Sequence, residues 1–208
     1  ATVAAGSALG AALPLFREGP PPAHTGGFGE PTCAECHFGA PLNDSAGRAV
    51  LSAPAGFVPG ESYRLEIRLE RPEMAAAGFQ LAARFADGAA AGTQAGTLNP
   101  VDGRTAVTAD SATGVAYGHQ TRAGSSPVEA GTTGWVMEWT APDSGAAVVI
   151  HAAANAANDD ASEFGDFIYT AHREIRAAGS PRVDGGAAGP APWSVRYHDG
   201  SPRPGMEP

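Results

Sequence analysis

The stretch Ser62-Tyr63-Arg64-Leu65-Glu66-Ile67-Arg68-Leu69-Glu70 alternates without a break. Tyr63, Leu65, Ile67 and Leu69 are apolar, and Arg64, Glu66, Arg68 and Glu70 are charged. Successive side chains of a strand point to opposite faces, so this period predicts a half-buried antiparallel strand with one face on a core. The same period recurs further along. Phe79, Leu81, Ala83 and Phe85 alternate up to a turn at Asp87-Gly88, and Trp135, Met137 and Trp139 alternate up to Ala141-Pro142-Asp143-Ser144-Gly145. Residues 147–152 form a continuous apolar run fit for a central strand, and residues 167–170 predict a short one. Short strands separated by turn chemistry predict an all-β sandwich, with Trp135 and Trp139 supplying much of its buried area.

Composition agrees with strands and turns. Glycine and proline (28 and 18 residues) exceed a fifth of the 208-residue chain, which argues against long helices. The hydrophobic fraction of 43% is sufficient for one core, although alanine supplies much of it. All 13 basic residues are arginine, which we read as a base-composition bias rather than a functional signal. The formal net charge of −9 disfavours nucleic acid and bare anionic membrane surface and favours a basic partner face, or simply keeps the chain in solution.

Four segments follow from these patterns. Residues 1–18 begin with an uncharged, small and apolar run that ends at Arg17-Glu18, resembling a secretory signal or a short membrane anchor; we favour the anchor. Residues 19–60 are a linker and cofactor-bearing segment, with Gly/Pro composition up to Gly29 and loop composition onward to Gly60. Residues 61–178 are the sandwich. Residues 179–208 return to Gly/Pro-rich composition and are expected to form an extended arm.

The cofactor is named by Cys33-Ala34-Glu35-Cys36-His37, which holds both cysteines of the chain. Cys-x-x-Cys-His is the attachment pattern of haem c: each thiol forms a thioether with a vinyl group, and the next imidazole reaches the iron. Three competing readings are weaker. A thioredoxin-like pair belongs at the start of a helix in a βαβ unit, and Pro31-Thr32 before and Phe38-Gly39-Ala40-Pro41 after the motif are loop composition. A zinc site wants a second Cys/His pair, which the chain lacks. A disulfide across two residues restrains the unfolded chain very little. The expectation is one covalent haem c held by Cys33 and Cys36, with His37 as axial ligand.

In order along the chain, several pieces carry a family resemblance: Gly19-Pro20-Pro21-Pro22 through Thr25-Gly26, Glu30-Pro31-Thr32-Cys33 to His37, and Phe57-Val58-Pro59-Gly60. They continue with Gly78-Phe79-Gln80-Leu81, Tyr117-Gly118-His119-Gln120-Thr121, Trp139-Thr140-Ala141-Pro142, Asn155-Ala156-Ala157-Asn158 and Gly165-Asp166-Phe167-Ile168-Tyr169-Thr170. Over roughly residues 19–175 the chain resembles the bacterial Reelin-domain-like proteins of choice-of-anchor type that carry one Cys-x-x-Cys-His motif. The resemblance implies an immunoglobulin-like β-sandwich outside the cytoplasm, a haem segment ahead of the first strand and a membrane anchor at one end. His151, where the family more often has an aromatic residue, and Ala154, where glycine is usual, depart from the pattern.

The second axial ligand decides between an electron carrier and an open site for small molecules. His119 is the preferred candidate. It follows Val115-Ala116-Tyr117-Gly118, whose glycine leaves room for a flat macrocycle, and it matches the family's Tyr-x-x-His-Thr-like pattern. His151 and Met74 are the runners-up. Met137 reads as core, Met206 lies in the terminal arm, and His172 and His198 read as surface residues. His24, nine residues before Cys33, could fold back over the motif, although linker histidines are more commonly solvated. Asn155, Asn158, Asp159, Asp160 and Asp166 form an oxygen-rich cluster that suits Asx turns better than calcium.

These observations point to a monohaem c-type cytochrome for single-electron transfer, periplasmic or otherwise extracytoplasmic, docking to a redox protein or membrane electron-transfer complex. A structural accessory subunit with a relay haem, or an open-site peroxidase-like or gas-binding protein, are the alternatives. No separate catalytic residue is called for, and nucleic acid is not an expected partner.

Overall fold

A computed structural model describes residues 16–179. Ten strands make up the fold: β1 (Phe38–Gly39), β2 (Arg48–Ser52), β3 (Ser62–Glu70), β4 (Ala76–Phe85), β5 (Thr97–Pro100), β6 (Thr105–Ala109), β7 (Ala116–Gln120), β8 (Thr132–Thr140), β9 (Val148–Ala157) and β10 (Phe164–Ile175). They form a six-stranded sheet in the order β1-β10-β9-β4-β7-β6 and a four-stranded sheet in the order β2-β3-β8-β5. Among the described strands β1 and β10 pair in parallel and the other pairs are antiparallel, and an isolated parallel bridge joins Phe57 to Ala177. The protein is an all-β, two-sheet sandwich.

The alternating stretches become the inner faces. Leu65, Ile67 and Leu69 of β3 are fully buried and run antiparallel to Trp135, Met137 and Trp139 of β8, also buried. Phe79 from the opposite sheet stacks on Trp135 at 4.6 Å between ring centroids. The indole N–H groups have partners, Trp135 donating to the Gly124 carbonyl and Trp139 to the Ala95 carbonyl, both at 2.9 Å. A buried tryptophan thereby contributes apolar area without stranding its polar end. The apolar run at 147–152 lies in β9, a central strand between β4 and β10, as its composition predicts.

Several expectations need correction. The strand expected at 167–170 is the twelve-residue β10, because continuous pairing with β9 carries it from Phe167 to Ile175 despite the polar His172, Arg173 and Glu174. The sandwich also starts earlier than residue 61. β2 and Phe57, which is 1% exposed and set edge-on to Trp139, come from the segment read as loop. His119 is a strand residue of β7.

β4 differs most from its pattern. Gln80, Ala82 and Arg84, the positions facing away from the core, are also buried. Residues 16–37 lie across that outer face as a strap. Gln80 accepts from the His24 backbone N–H at 2.6 Å and donates to the Pro21 carbonyl at 2.8 Å. Gln120 donates to the Phe16 carbonyl at 2.9 Å. Glu30 pairs with Arg84 in a nearly dry environment, and Tyr117 donates to Glu30 at 2.6 Å. Gly19, at φ +116°, rests directly on the His119 ring, where no Cβ would fit. The strap is docked at several points, more firmly than its linker composition suggests.

The uncharged run at residues 1–15 and the arm from residue 180 onward lie outside the described residues. Among the described residues no helix is long and apolar enough to cross a membrane.

Candidate functional site

The pentapeptide sits where the strap meets the edge of the six-stranded sheet. Cys33–Glu35 form a single 3-10 turn, capped by the Thr32 hydroxyl accepting from the Ala34 N–H at 3.2 Å. The Cys36 and His37 N–H groups both return to the Cys33 carbonyl, at 3.2 and 3.0 Å. β1 then adds to the sheet edge, with the Phe38 N–H donating to the Glu163 carbonyl at 2.7 Å and Gly39 opposite Asp166. Gly39 approaches the Asp166 backbone so closely that a side chain there would collide with it. This short parallel pairing brings His37 to Asp166 across 129 positions of sequence.

The resulting contact organises the site. His37 Nδ1 lies 2.6 Å from Oδ2 of Asp166, which is 2% exposed. The same oxygen accepts from Asn155 Nδ2 at 3.2 Å, and Oδ1 accepts from the Asn158 N–H at 3.3 Å. A carboxylate is acceptor-only, so Nδ1 carries a hydrogen, and in the neutral imidazole the lone pair resides on Nε2. Nε2 has no hydrogen-bond partner among the described residues. Histidines that ligate metals commonly hold their second nitrogen against a carboxylate in this way. Asp166 was grouped by sequence with the Asx cluster; its role as partner of His37 has no local sequence signature.

The rest of that cluster does form turns. Asn158 Oδ1 accepts from the Asp160 N–H at 3.2 Å, and Asp160 Oδ1 accepts from the Ser162 N–H at 2.9 Å. The Ser162 hydroxyl and N–H hold the Asp160 carboxyl below its usual range.

Cys33, Cys36, His37 and Asp166 line one cleft together with Phe16, Arg17, Pro20, Pro21 and His24 of the strap and the start of β4 from Ala76 to Phe79. The cleft is partly open to solvent. An ion pair between Arg17 and Asp159, both lining residues, connects the strap to the turn after β9. Asn155 Oδ1, buried in the same lining, has no hydrogen-bond partner. The two thiols are free, and burial pushes the Cys33 thiol up to about 12. A redox-active pair of thioredoxin type needs a lowered thiol pKa, so this environment does not suit one. Two free thiols, an imidazole with one nitrogen held by a buried carboxylate, a largely apolar cleft and an orphaned polar atom in its wall fit a covalent haem.

The expected second ligands are elsewhere. His119 does not line the cleft, and both of its ring nitrogens are engaged: Nε2 with the Thr108 hydroxyl at 2.9 Å and Nδ1 with the Gln120 carbonyl at 2.8 Å. Gly118 faces the core, where Met137 Sδ would lie 2.9 Å from a Cβ, so its small size serves packing. His151 lies under the strap, edge-on to Phe28 at 5.5 Å, and Met74 is a core residue. The structure therefore does not bring His119, His151 or Met74 together with His37. Their polar or flexible side chains are absorbed by the covered outer face and the core.

His151 provides a test of that cover. Burial, with His172 and Arg84 nearby, pulls its pKa from 6.5 to about 4. An unfolded chain takes up this proton near pH 6.5, and the folded chain only near pH 4. The contribution is therefore whole above about pH 6.5 and is lost as pH falls toward 4, amounting to about 2–3 kcal/mol. Denaturant midpoints measured from pH 7 to pH 4.5 should fall more steeply for the wild type than for His151→Phe. Parallel curves would contradict the buried neutral imidazole.

No protein-family model matches the chain, and no curated protein matches it. Among solved structures it is similar to the human F-spondin reeler domain, at 18% identity and a TM-score of 0.41, over 68% of this chain and 95% of that one. It is also similar to the cohesin module from a Clostridium perfringens family 33 glycoside hydrolase, at 11% identity and a TM-score of 0.44, over 64% and 96% of the two chains. The matches are partial, and the architecture rests on the strand order itself.

Proposed function

We propose that this chain is a monohaem c-type cytochrome of Reelin-like type, acting in single-electron transfer outside the cytoplasm. The observation that carries the reading is the 2.6 Å contact between His37 Nδ1 and buried Asp166, at a cleft that both cysteines line. Cys33 and Cys36 would hold the haem through thioethers, and His37 Nε2 would ligate it. When bound, such a group supplies reversible one-electron chemistry at iron. The chain's own residues do the tuning. Asp166 orients His37 and raises its basicity, Asn155 and Asn158 hold Asp166, and the strap keeps water from the outer face of the sheet.

A redox protein or membrane electron-transfer complex is the proposed partner, with residues 1–18 as the attachment to the membrane. An exposed aromatic pair beside His37 supports a docking role: Phe38 and Phe164 are 46% and 61% exposed and lie 5.8 Å apart. The net charge of −9 favours a basic partner face.

The test is maturation in an exporting host equipped for covalent haem attachment. Haem should remain on the chain through denaturation, vanish in a Cys33→Ser/Cys36→Ser variant, and titrate as a single one-electron wave. A mature wild-type chain without covalent haem would overturn the proposal.

A further inference from the structure

With His119, His151 and Met74 placed away from the cleft, the second axial position needs another donor. In c-type cytochromes the haem iron commonly takes imidazole nitrogen or thioether sulfur. Among the described residues no methionine lines the cleft, and His24 is the one histidine that does so besides His37. We infer that His24 is the second axial ligand, through Nε2, a step that rests on the haem reading above.

Three features of the strap argue for it. The first is rigidity. The His24 backbone N–H is bonded to Gln80 Oε1 at 2.6 Å, Gln80 is fully buried on β4, and the preceding turn is held by the Gln80–Pro21 bond. The His24 side chain is only 14% exposed, so this is a seated residue of the cleft wall. The second is tautomer. His24 Nδ1 lies 2.9 Å from the Pro22 carbonyl oxygen and 3.2 Å from that of Pro21, both acceptors, so Nδ1 donates, and Nε2 is the nitrogen a metal would take once the hydrogen it shows to Glu35 is lost. Asp166 does the same to His37, and an acceptor on the far nitrogen is the ordinary companion of a ligating imidazole.

The third feature is proximity. His24 Nε2 meets Glu35 Oε2 at 2.8 Å, and Glu35 is one of the two residues between the cysteines. The nitrogen thus stands within one side chain's length of the segment that would carry the haem. Glu35 is 56% exposed, and releasing such a surface carboxylate to water costs little. To ligate a haem iron, His24 would give up to solvent the Nε2 hydrogen that faces Glu35, and the freed lone pair would serve as the donor. The exchange needs no oxidant or reductant. It leaves His119, His151 and Met74 in the packing positions already described.

The test uses the matured protein with its covalent haem. The wild-type ferrous form should be low-spin and indifferent to carbon monoxide. His24→Ala should become high-spin and bind carbon monoxide rapidly, and added imidazole should restore the low-spin spectrum. His24→Met, which keeps a donor, should stay six-coordinate. His119→Ala should leave the spectrum unchanged. A low-spin, carbon monoxide-insensitive His24→Ala protein would overturn the assignment while leaving the haem reading intact. So would a wild type that is already high-spin and binds carbon monoxide. A chain that acquires no covalent haem would bring down both. The imidazole rescue separates loss of a ligand from loss of folding.

Discussion

Glu30→Ala is expected to lower the unfolding free energy by about 3–5 kcal/mol, the usual cost of removing one partner from a buried ion pair. Arg84 is 5% exposed, and burial pulls its guanidinium down, opposed by the neighbouring Tyr117. Its Nε already lacks a partner. Without Glu30 the guanidinium keeps only the Tyr117 hydroxyl, to which it donates at 2.5 Å. Glu30 also accepts from the Thr25 hydroxyl at 2.6 Å, so the change loosens the strap as well as stranding the charge. Denaturant titration of the two proteins measures the difference directly. Adding Arg84→Met to Glu30→Ala should recover a large part of the loss, because the uncompensated charge is then gone. A change below about 1 kcal/mol would mean that the charge finds water, and that the strap is not seated as described.

Asp166→Asn should raise the reduction potential of the matured protein by about 60 mV or more, equivalent to a tenfold shift between oxidised and reduced forms. In the proposed haem site the carboxylate would strengthen His37 as a donor and favour the ferric state, and a neutral amide would withdraw that support. A residue that served only packing would leave the potential unchanged while lowering stability, so potentiometric titration separates the two roles. An unaltered potential in a folded, haem-bearing Asp166→Asn protein would contradict the proposed part of Asp166. The substitution also leaves Asn155 Nδ2 facing an amide in place of a carboxylate, and some stability should be lost in addition.

These two carboxylates show how unevenly the chain can be read. Glu30 and Asp166 lie in loop-like or turn-like composition, and nothing within ten residues of either names its partner. Glu30 finds Arg84 and Tyr117 only after the strap crosses the outer face of β4 and β7. Asp166 finds His37 only after β1 adds to the edge of β10. Ser62–Glu70 and Trp135 to Trp139, by contrast, were legible as half-buried strands, because alternation is a property of neighbouring residues. β10 runs well past its apolar residues for the same reason: its pairing with β9 lies outside its own composition.

The placement of the candidate histidines follows the same rule. His119 follows a glycine in an apolar segment, which suits a macrocycle and a core strand equally well. In the fold Gly118 faces Met137, and the imidazole turns to Thr108 and the Gln120 carbonyl. His24 looked solvated because its strap is rich in glycine and proline. Its burial comes from Gln80 and the sheet beneath it.

Local periodicity alone was enough to define an all-β sandwich with tryptophan and leucine inside, since hydrophobic alternation and turn chemistry act over a few residues. The adjacency of Cys33, Cys36 and His37 was likewise enough to suggest the cofactor, because attachment requires that spacing and little else. Tertiary structure decided the rest: which carboxylate holds His37, which face of the sheet is hidden from water, and which histidine shares the cleft. Those are relations between segments dozens of residues apart, set by strand pairing and burial, and short-range pattern carries no trace of them.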